Sequence, residues 1–455
     1  MNFLFGCPVT SAVVRAEIRV KRLLLPILCT LACVLGFSAA SVLSARDENG
    51  GRVSRAREDF ELMRLFAEAY EQIEGRYVTE VDRRSLIDNA VKGMLNGLDP
   101  YSTWIPPGDL DRFEQYLGQE FVGIGIQVQL QDGVPEVLTS LPDSPAWKAG
   151  VRVGDLLEWV DETPLQGLST AEIGELIRGP IGQAIRLTAR HENAEETYVV
   201  TVTREKIQLA TVTGVRLTEA GTWDWLLSSE SKLAYVRLTH FSRQTPDEFR
   251  RAMQALNAES LQGLVIDLRS NPGGLIDAAV DIADMLLDEG RIVSMNGRAV
   301  DERTWDAHAG VELAAEVPIA VLMDRQSASA SEILAAALQD HARGVIAGER
   351  SFGKGSVQNV IRMENGRSAL KLTTAHYLRP KGTNIHRFPD YGPDDIWGVL
   401  PDEALRLQLE DDQWKELRLS RDGHRGIAAS EDIAAVLSRD PQLNRVFTWL
   451  QEQSQ

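Results

Sequence analysis

The chain has 455 residues, of which 44% are hydrophobic and 25% are charged, a composition typical of a globular protein of two to four domains. The formal net charge is −18, although residues 1–45 alone carry +3, so the remainder carries −21. A surface this acidic favours solubility and argues against a nucleic-acid-binding protein.

Residues 1–45 have the pattern of an export segment. Lys21 and Arg22 precede an apolar run over residues 23–43 that ends in small side chains. This is the pattern of a signal peptide or of an uncleaved membrane anchor, and the sequence does not decide between them. Two further interpretations are lipid attachment at Cys33 and a buried helix of the folded domain. We expect export to the periplasm or cell envelope, with membrane contact only through this segment.

All cysteines of the chain lie in the same N-terminal segment, at Cys7, Cys29 and Cys33. An exported remainder would therefore contain no thiol, which suits an oxidising compartment. A thiol protease and a cysteine-ligated zinc site are excluded for that part of the chain.

Residues 46–118 are predicted to form an N-terminal helical region. Residues 46–58 are charged and contain glycine, as linkers do, and apolar residues then recur at helical spacing between Phe60 and Leu95. The stretch Leu98-Asp-Pro-Tyr-Ser102 interrupts this pattern, and another helix is predicted over 111–117. The simplest interpretation is a small helical domain packed on its neighbours.

Residues 119–206 are predicted to form a second domain. A glycine-rich turn over Phe121–Gly125 runs into an alternating strand. An amphipathic helix over Thr170–Arg178 and two further strands follow. Apolar residues of this helix, such as Ile173 and Ile177, are either core residues or the wall of a binding groove.

Residues 207–400 are predicted to form an α/β core. A buried strand over Leu264–Leu268 runs into the loop Arg269–Gly274, whose two glycines let the backbone approach a substrate closely or serve only a turn with positive φ. Further along, a strand, a helix and a second strand follow one another over residues 319–347.

Two polar residues follow those last two strands. Ser329 comes just after the first strand and Lys354 after the second. Because a strand–helix–strand crossover makes the strands parallel, both loops lie at the same edge of the sheet, where α/β proteins place their sites. A serine hydroxyl is a weak nucleophile that needs a base, and a lysine is such a base if burial lowers its pKa to about 7–8.

Other interpretations of the same residues remain open. Ser329 and Glu332 have the spacing of a capping box, so Ser329 is either an N-cap only or an N-cap and a nucleophile. The stretch Gly348–Lys354 resembles a nucleotide-binding loop, but Gly355 replaces the serine or threonine that would hold magnesium. The histidines fit neither a Gly-x-Ser-x-Gly setting nor metal-ligand spacing, so they are predicted to be structural or surface residues. For His376, which follows a predicted strand, a functional role stays open.

The two motifs Ser327-Ala-Ser-Ala-Ser-Glu332 and Ser351-Phe-Gly-Lys-Gly-Ser-Val-Gln358 resemble those of the carboxyl-terminal processing peptidases, or tail-specific serine proteases. The resemblance extends over about residues 60 to 400. The roles that it implies are a nucleophile, Ser329; a base, Lys354; a residue that orients the base, Gln358; an oxyanion hole made by N–H groups of Ala330 and of Gly273 or Gly274; and a support for the active-site helix, Asp340.

The order of elements in residues 119–206 resembles a PDZ domain, a partly open β-barrel with helices. Such a domain binds a peptide by adding it as a strand to the edge of its sheet. The residues that the resemblance implies for this are the carboxylate-binding N–H groups of Val122, Gly123, Ile124 and Gly125, and the pocket wall of Ile173 and Ile177.

The closing segments depart from the family. Gly398-Val-Leu-Pro-Asp402 is an altered form of its last motif, and residues 401–455 form a C-terminal extension with a helix predicted over Ala434–Gln453. The sequence assigns this extension no function. It is predicted to be a packing or solvated element.

Taken together, the sequence predicts an α/β multidomain protein. Its parts are a signal peptide or anchor (1–45), an N-terminal helical region (46–118), a PDZ domain (119–206), a serine protease core with the Ser/Lys dyad on its crossover (207–400) and the C-terminal extension (401–455).

The expected activity is a serine endopeptidase that recognises the free C-terminus of protein or peptide substrates through its PDZ domain. No cofactor, metal or nucleic acid is expected, and the resemblance implies a homodimer through the N-terminal helices. The alternative is an inactive exported PDZ scaffold or chaperone on a protease fold.

Overall fold

The computed structural model describes residues 57–131, 133–191, 194–218, 222–228, 230, 232–256, 261–310, 313–422 and 433–453. The predicted export segment, its cysteines and most of the linker lie outside these ranges. Within them, the structure has no helix that is both long and apolar enough to span a membrane.

The chain divides into two compact units, residues 1–91 and 92–455. In the described part of the first unit, helix α1 covers residues 57–76 and helix α2 (Arg83–Asn96) begins. The sequence predicted helices here. Several large apolar side chains of α1 are exposed: Phe60, Leu62, Met63 and Leu65.

The second unit begins with elements that join its main body. Strand β1 (Thr103–Ile105) pairs with the late strand β21 (Ser368–Leu378), and helix α3 (Leu110–Gly118) follows it. The sequence predicted only helices in this region. The strand forms because Trp104 and Ile105 are buried, while only Thr103 remains exposed.

The PDZ-like part is a β-sheet with two helices. Its elements are β2 Glu120–Gly123, β3 Ile126–Gln131, β4 Val134–Ser140, α4 Pro145–Lys148, β5 Leu156–Val160, β6 Thr163–Pro164, α5 Thr170–Ile177, β7 Ala184–Arg190, β8 Thr197–Thr203 and β9 Glu205–Gln208. The main sheet has the order β3-β4-β5-β7-β8, with β6 paired to β5, and β2 pairs separately with β9.

The elements at the centre of the α/β core are β10 Val212–Thr213, β11 Arg216–Leu217, β12 Trp223–Asp224, β13 Leu226–Ser228, β14 Leu233–Leu238, α6 Thr245–Leu256, β15 Gly263–Asp267, α7 Ile276–Asp284, β18 Ile319–Met323, α8 Ala330–Asp340 and β19 Gly344–Gly348. They form a mostly parallel sheet, with α6, α7 and α8 on one face. The order is β10-β14-β15-β18-β19, with β13 also paired to β14, and β14, β15, β18 and β19 are parallel. The predicted crossover, β18-α8-β19, is therefore present.

A second sheet of the core contains β1 and lies in the order β1-β21-β16-β17, with β20 paired to β21. Its other strands are β16 Gly290–Gly297, β17 Val300–Ala307 and β20 Ser356–Met363. Short 3-10 helices cover Glu364–Gly366 and Glu403–Leu405.

The C-terminal extension covers the second face of the parallel sheet. It contains α9 Asp411–Asp422, α10 Ile433–Arg439 and α11 Pro441–Gln453. Leu443, Val446 and Leu450 of α11 are buried against sheet residues such as Val265 and Leu322. The extension is thus an integral layer of the core.

The prediction of one final helix over Ala434–Gln453 is wrong. Two helices are present, and the chain turns between them at Asp440 and Pro441. Proline has no N–H and cannot continue a helix, but it is well suited to the first helical position. Asp440 accepts a hydrogen bond from the Leu443 N–H at 3.0 Å, as an N-cap does.

Candidate active site

Three loops meet at the carboxyl edge of the parallel sheet. They follow β15, β18 and β19, and they carry the Asn271–Gly274 turn, Ser329 and Lys354 respectively. The parallel pairing of these strands brings the loops to one edge, as the sequence predicted. The Asn271 carbonyl oxygen accepts hydrogen bonds from the Ala328 N–H at 3.0 Å and from Ser331 Oγ at 3.0 Å, which ties the first loop to the second.

Ser329 occupies a strained turn between β18 and α8. Its φ of 56° and ψ of −114° are unusual for a residue with a side chain, and the side chain is largely buried, 8% exposed. Of the predicted capping box, the bond from the Ser329 N–H to the Glu332 carboxylate is present at 2.8 Å. The Glu332 N–H donates at 2.9 Å to the Ser329 carbonyl oxygen, so the hydroxyl is not needed to cap the helix.

Glu332 joins the serine loop to the lysine loop. One oxygen, Oε2, accepts the N–H groups of both Ser329 and Lys354 at 2.8 Å, which holds those two nitrogens within 5.6 Å of each other. The other oxygen accepts the Gly353 N–H at 2.7 Å and Ser351 Oγ at 2.5 Å. The side chain is fully buried, and burial raises the pKa of Glu332 although the four donors oppose this.

Sequence reasoning recognised Glu332 only as a cap. Its contacts with residues 351–354 come from a loop that is distant in sequence, and only the fold reveals them. The capping-box spacing was the one signal that placed its carboxylate at the start of the helix.

Lys354 has the electrostatics that a neutral base requires. Burial, followed by the nearby charge of Lys371, lowers the pKa of Lys354 to about 8, although Glu332 and Asp99 act in the opposite direction. Its Nζ lies 5.2 Å from the centre of the Tyr101 ring. Among the described residues, no hydrogen bond joins Lys354 Nζ to Ser329 Oγ.

Gln358 lies on β20, four residues after Lys354. Its amide nitrogen donates to Ser356 Oγ at 2.9 Å and to Thr373 Oγ1 at 3.2 Å. These contacts fix Gln358 to its own strand and to β21. In the arrangement seen, the amide therefore does not orient Lys354 directly.

The two glycines that the sequence could not separate have different neighbours. Gly273 has a φ of 99°, and a Cβ there would lie 2.7 Å from the Ala328 carbonyl oxygen, 2.8 Å from Ser329 Cβ and 3.0 Å from the Ala330 nitrogen. A Cβ at Gly274 would instead lie 2.1 Å from the Phe241 carbonyl oxygen. Gly273 is therefore the glycine beside the serine.

The N–H of Gly273 is already occupied. It donates to Asn271 Oδ1 at 2.8 Å, in the same loop. This amide must exchange partners before it can hold an oxyanion together with the Ala330 N–H, since a donor stabilises the anion only when it points at it.

A buried ion cluster fixes the start of the Asn271–Gly274 loop. Arg269 is fully buried and pairs with Asp267 of β15 at 2.7 Å. It also forms a two-pronged contact with Asp440 of the C-terminal extension, at 2.8 and 2.7 Å, and a hydrogen bond to Gln442 at 3.0 Å. Sequence reasoning missed this cluster, because 171 residues separate Arg269 from Asp440.

Asp340 lies at the last position of α8 and is bound to the end of β21. Its carboxylate accepts hydrogen bonds from Arg379 at 2.9 and 2.6 Å and from the Lys381 N–H at 3.2 Å. Arg379 and Lys381 outweigh burial, so the pKa of Asp340 is lowered. This ion pair ties the active-site helix to the neighbouring sheet.

The PDZ-like part presents a free strand edge. Strand β3 ends its sheet and, within the described residues, pairs only with β4. Gly125 precedes it with a φ of 84°, and a Cβ there would lie 2.2 Å from Ser144 Cβ, so this turn requires glycine. Ile124 is fully buried, whereas Val122 and Gly123 pair with β9.

Helix α5 lies beside β3, but its two predicted pocket residues are part of the domain core. Ile173 is 0% exposed and Ile177 is 8% exposed. Of the two interpretations that the sequence left open, the core position is the one seen. Contact with a peptide would require them to become accessible.

Three histidines of the core, His240, His376 and His386, lie among aromatic side chains. His376 and His386 have ring centres 5.2 Å apart, and Phe388 packs against both. Burial lowers the pKa of His240 to about 4. The described residues contain no cluster of three or more histidine, cysteine, aspartate or glutamate side chains that could hold a metal ion.

Comparison with known proteins agrees with this architecture. The sequence profile of peptidase family S41 matches residues 232–404, that of the PDZ domain matches residues 136–190, and that of the N-terminal domain of the activating protease CtpB matches residues 37–106. A carboxy-terminal-processing protease of Bartonella bacilliformis is 35% identical over 404 residues, which cover 85% of this chain and 87% of that protein. The chain belongs to the carboxy-terminal processing protease family.

Further relatives agree. The carboxy-terminal processing protease CtpA of Bacillus subtilis is 31% identical and covers 76% of this chain and 71% of its own length. The solved structure of a photosystem II D1 C-terminal processing protease is 31% identical, covers 76% of this chain and 92% of its own, and has a TM-score of 0.43. The family profiles and the curated relatives confirm the predicted family and fold class, and this member of the family is a peptidase with a PDZ domain.

Proposed function

We propose that this peptidase is a serine endopeptidase in which Ser329 is the nucleophile and Lys354 is the general base. The observation that supports this proposal most directly is that one oxygen atom of the Glu332 carboxylate binds the backbones of both Ser329 and Lys354. The lowered pKa of Lys354, about 8, supports the same roles, because a base must be uncharged for part of the time at working pH.

In the first half of the reaction, Ser329 Oγ attacks the scissile carbonyl carbon and its proton passes to the neutral amine of Lys354. The negative charge that develops on the carbonyl oxygen is held by the Ala330 N–H and by the N–H of Gly273 once it leaves Asn271. The intermediate then collapses, the C–N bond breaks, and Lys354 returns the proton to the leaving amine.

In the second half, Lys354 removes a proton from a water molecule, which attacks the acyl carbon. The ester bond to Ser329 Oγ breaks and the proton returns to the serine. Asp340 supports this chemistry indirectly, because its ion pair with Arg379 anchors the helix that begins at Ser329. Gln358 holds the strand that follows Lys354 and orients the base through that strand.

The substrate class follows from the PDZ domain. We infer that the carboxyl end of a protein substrate pairs beside the free edge of β3, with its terminal carboxylate at the turn over residues 122–125. Support comes from the unpaired side of β3 and from the glycine-specific geometry at Gly125.

Two variants test the dyad. Ser329→Ala and Lys354→Ala should each remain folded, by circular dichroism and urea denaturation, and should each abolish cleavage of a denatured protein. A serine-reactive probe should label the wild type but not Ser329→Ala. If Lys354→Ala still hydrolyses the substrate, the dyad is wrong. If the wild type binds tail peptides but is neither labelled nor active, the inactive scaffold is the correct description.

Tail recognition is tested separately by mass spectrometry of products from one denatured substrate with and without its last few residues. Loss of those residues should slow cleavage without changing which bonds are cut. Equal rates for both substrates would contradict recruitment through the PDZ domain.

The location and assembly of the protein are further parts of the proposal. The basic and apolar pattern of residues 1–45 supports export to the cell envelope, which fractionation of cells that express chains with and without this segment would test. The exposed apolar residues of α1 support a homodimer through the N-terminal helices. Light scattering would test this by comparing the molar mass of the chain with that of a variant in which Phe60 and Met63 are replaced by serine.

A further inference from the structure

The stretch Leu98-Asp-Pro-Tyr-Ser102, which interrupts the N-terminal helical pattern, forms a rigid turn at the active site. The Asp99 carboxylate accepts the N–H groups of Tyr101 and Ser102 at 2.7 and 2.8 Å through one oxygen and Ser102 Oγ at 2.7 Å through the other. Such a turn fixes the backbone on both sides of the tyrosine.

The turn is also bound to the sheet behind Lys354. The Thr373 N–H donates to Ser102 Oγ at 3.1 Å, and Thr103 of β1 pairs with Lys371 of β21. Thr373 in turn accepts from Gln358. Tyr101 is therefore attached to the same strand that binds the segment after Lys354.

The ring of Tyr101 faces the lysine. Lys354 Nζ lies 5.2 Å from the ring centre, within the range of about 6 Å at which a cation is attracted to an aromatic face. The ring is half-buried and packs edge-on against His386, with 6.2 Å between the ring centres. Within the described residues, the Tyr101 ring is the only group in direct contact with the Lys354 amine.

We propose that Tyr101 is a positioning residue for Lys354, whose ring face receives the ammonium formed when the lysine takes the proton of Ser329. The proposal rests on the dyad proposed above. An aromatic face attracts an ammonium group far more strongly than a neutral amine, because the attraction is between charge and quadrupole. The ring therefore stabilises the transition state of proton transfer more than the resting base.

Several other charges face the same amine. Lys371 on β21 and burial disfavour the ammonium, whereas Glu332 on α8 and Asp99 in the turn favour it. His386 packs edge-on against the Tyr101 ring, and burial, followed by the charge of His376, lowers its pKa and favours its neutral form. Tyr101 thus adds an uncharged stabiliser where a further carboxylate would hold the base permanently protonated.

Replacing Tyr101 by a residue without an aromatic ring should lower the pKa of Lys354, because the ammonium form loses a stabilising contact. The acid limb of the rate profile then moves to lower pH. The expected shift is roughly half a pH unit, together with a plateau rate lower by roughly 2- to 5-fold. A purely structural role would lower the rate at every pH and leave the midpoint in place.

The test is the pH dependence of kcat/KM of the full chain on a denatured protein substrate. Tyr101→Leu should show the acid shift and the lower plateau, and Tyr101→Phe, which keeps the face, should retain the wild-type midpoint. Tyr116→Leu is the matched control, since Tyr116 also packs edge-on against a histidine, His240, and should have no effect. Lys354→Ala is measured alongside.

A graded series keeps the result decisive if Tyr101→Leu fails to fold. Phenylalanine, monofluorophenylalanine and trifluorophenylalanine at position 101 have nearly the same shape but progressively weaker aromatic faces. The midpoint should fall steadily along the series. A constant midpoint across the series overturns the role of Tyr101. Activity in Lys354→Ala would instead overturn the dyad, so the two failures are distinguishable.

Discussion

Replacing Glu332 by glutamine keeps the shape of the side chain but removes its charge and one acceptor oxygen. The carboxylate accepts hydrogen bonds from four donors. If the glutamine oxygen stays with the N–H groups of Ser329 and Lys354, its NH2 group faces the Gly353 N–H and leaves that donor unpaired. The unpaired donor costs roughly 1–3 kcal/mol, and each charge-assisted bond that becomes neutral costs about 1 kcal/mol.

Part of this loss is offset. Burial raises the pKa of Glu332 because the charged carboxylate is desolvated, and a neutral glutamine avoids that cost. We therefore expect Glu332→Gln to lower the free energy of unfolding by about 3 kcal/mol. The rate should fall more steeply. A displacement of about 1 Å between nucleophile and base costs on the order of 100-fold, so we expect kcat/KM to drop by at least about that factor.

The assays are urea denaturation and kcat/KM at a pH above 9, where Lys354 is neutral. Glu172→Gln is the matched control, since Glu172 forms the same capping box with Ser169 on the exposed start of α5 but bridges no second loop. It should lose far less stability and keep the rate on a short peptide. A Glu332→Gln variant with wild-type stability and rate would refute the claim that this carboxylate holds the two loops together.

Three further outcomes follow from the same geometry. Because the pKa of Lys354 is lowered to about 8 and its neutral amine is the proposed base, kcat/KM should fall about tenfold per pH unit below that value and level off above it, in a profile recorded from pH 6 to 10. Gly273→Ala should abolish cleavage, since its Cβ would lie 2.8 Å from that of Ser329, whereas Gly167→Ala, with a φ of 83° and open space, should cost only about 1–2 kcal/mol of stability. Asp440→Asn should lower the free energy of unfolding by roughly 3 kcal/mol in urea titration, because Arg269 would lose one of its buried charge partners.

The parallel crossover could be predicted because few topologies satisfy its sequence. Apolar runs of strand length on either side of a helical pattern give β18-α8-β19, and handedness then places both following loops at one edge. That rule alone places Ser329 and Lys354 at the same edge of the sheet. The identity of the carboxylate that bridges them could not be predicted in the same way. The spacing of Glu332 from Ser329 is local, but its bonds to Gly353 and Lys354 depend on how a separate loop folds.

Two other features were missed for different reasons. Strand β1 has only three residues, too few for a periodic pattern, and it forms because β21 offers it a partner. The break in the final helix did have a local signal. Asp440 and Pro441 are a favourable N-cap and first helical residue, and a straight helix would have removed the carboxylate from Arg269.

The arrangement separates what is fixed in this active site from what must move. Glu332 fixes the backbones of Ser329 and Lys354, while the amine of Lys354 rests beside Tyr101 and the Gly273 N–H rests on Asn271. A lysine side chain is a flexible four-carbon stem, so small rotations about its own bonds can turn the amine towards the serine while it stays beside the Tyr101 ring. The proposed dyad would then need only side-chain rotation, and the proposed oxyanion hole only a change of partner at one amide, without opening the loops that Glu332 holds.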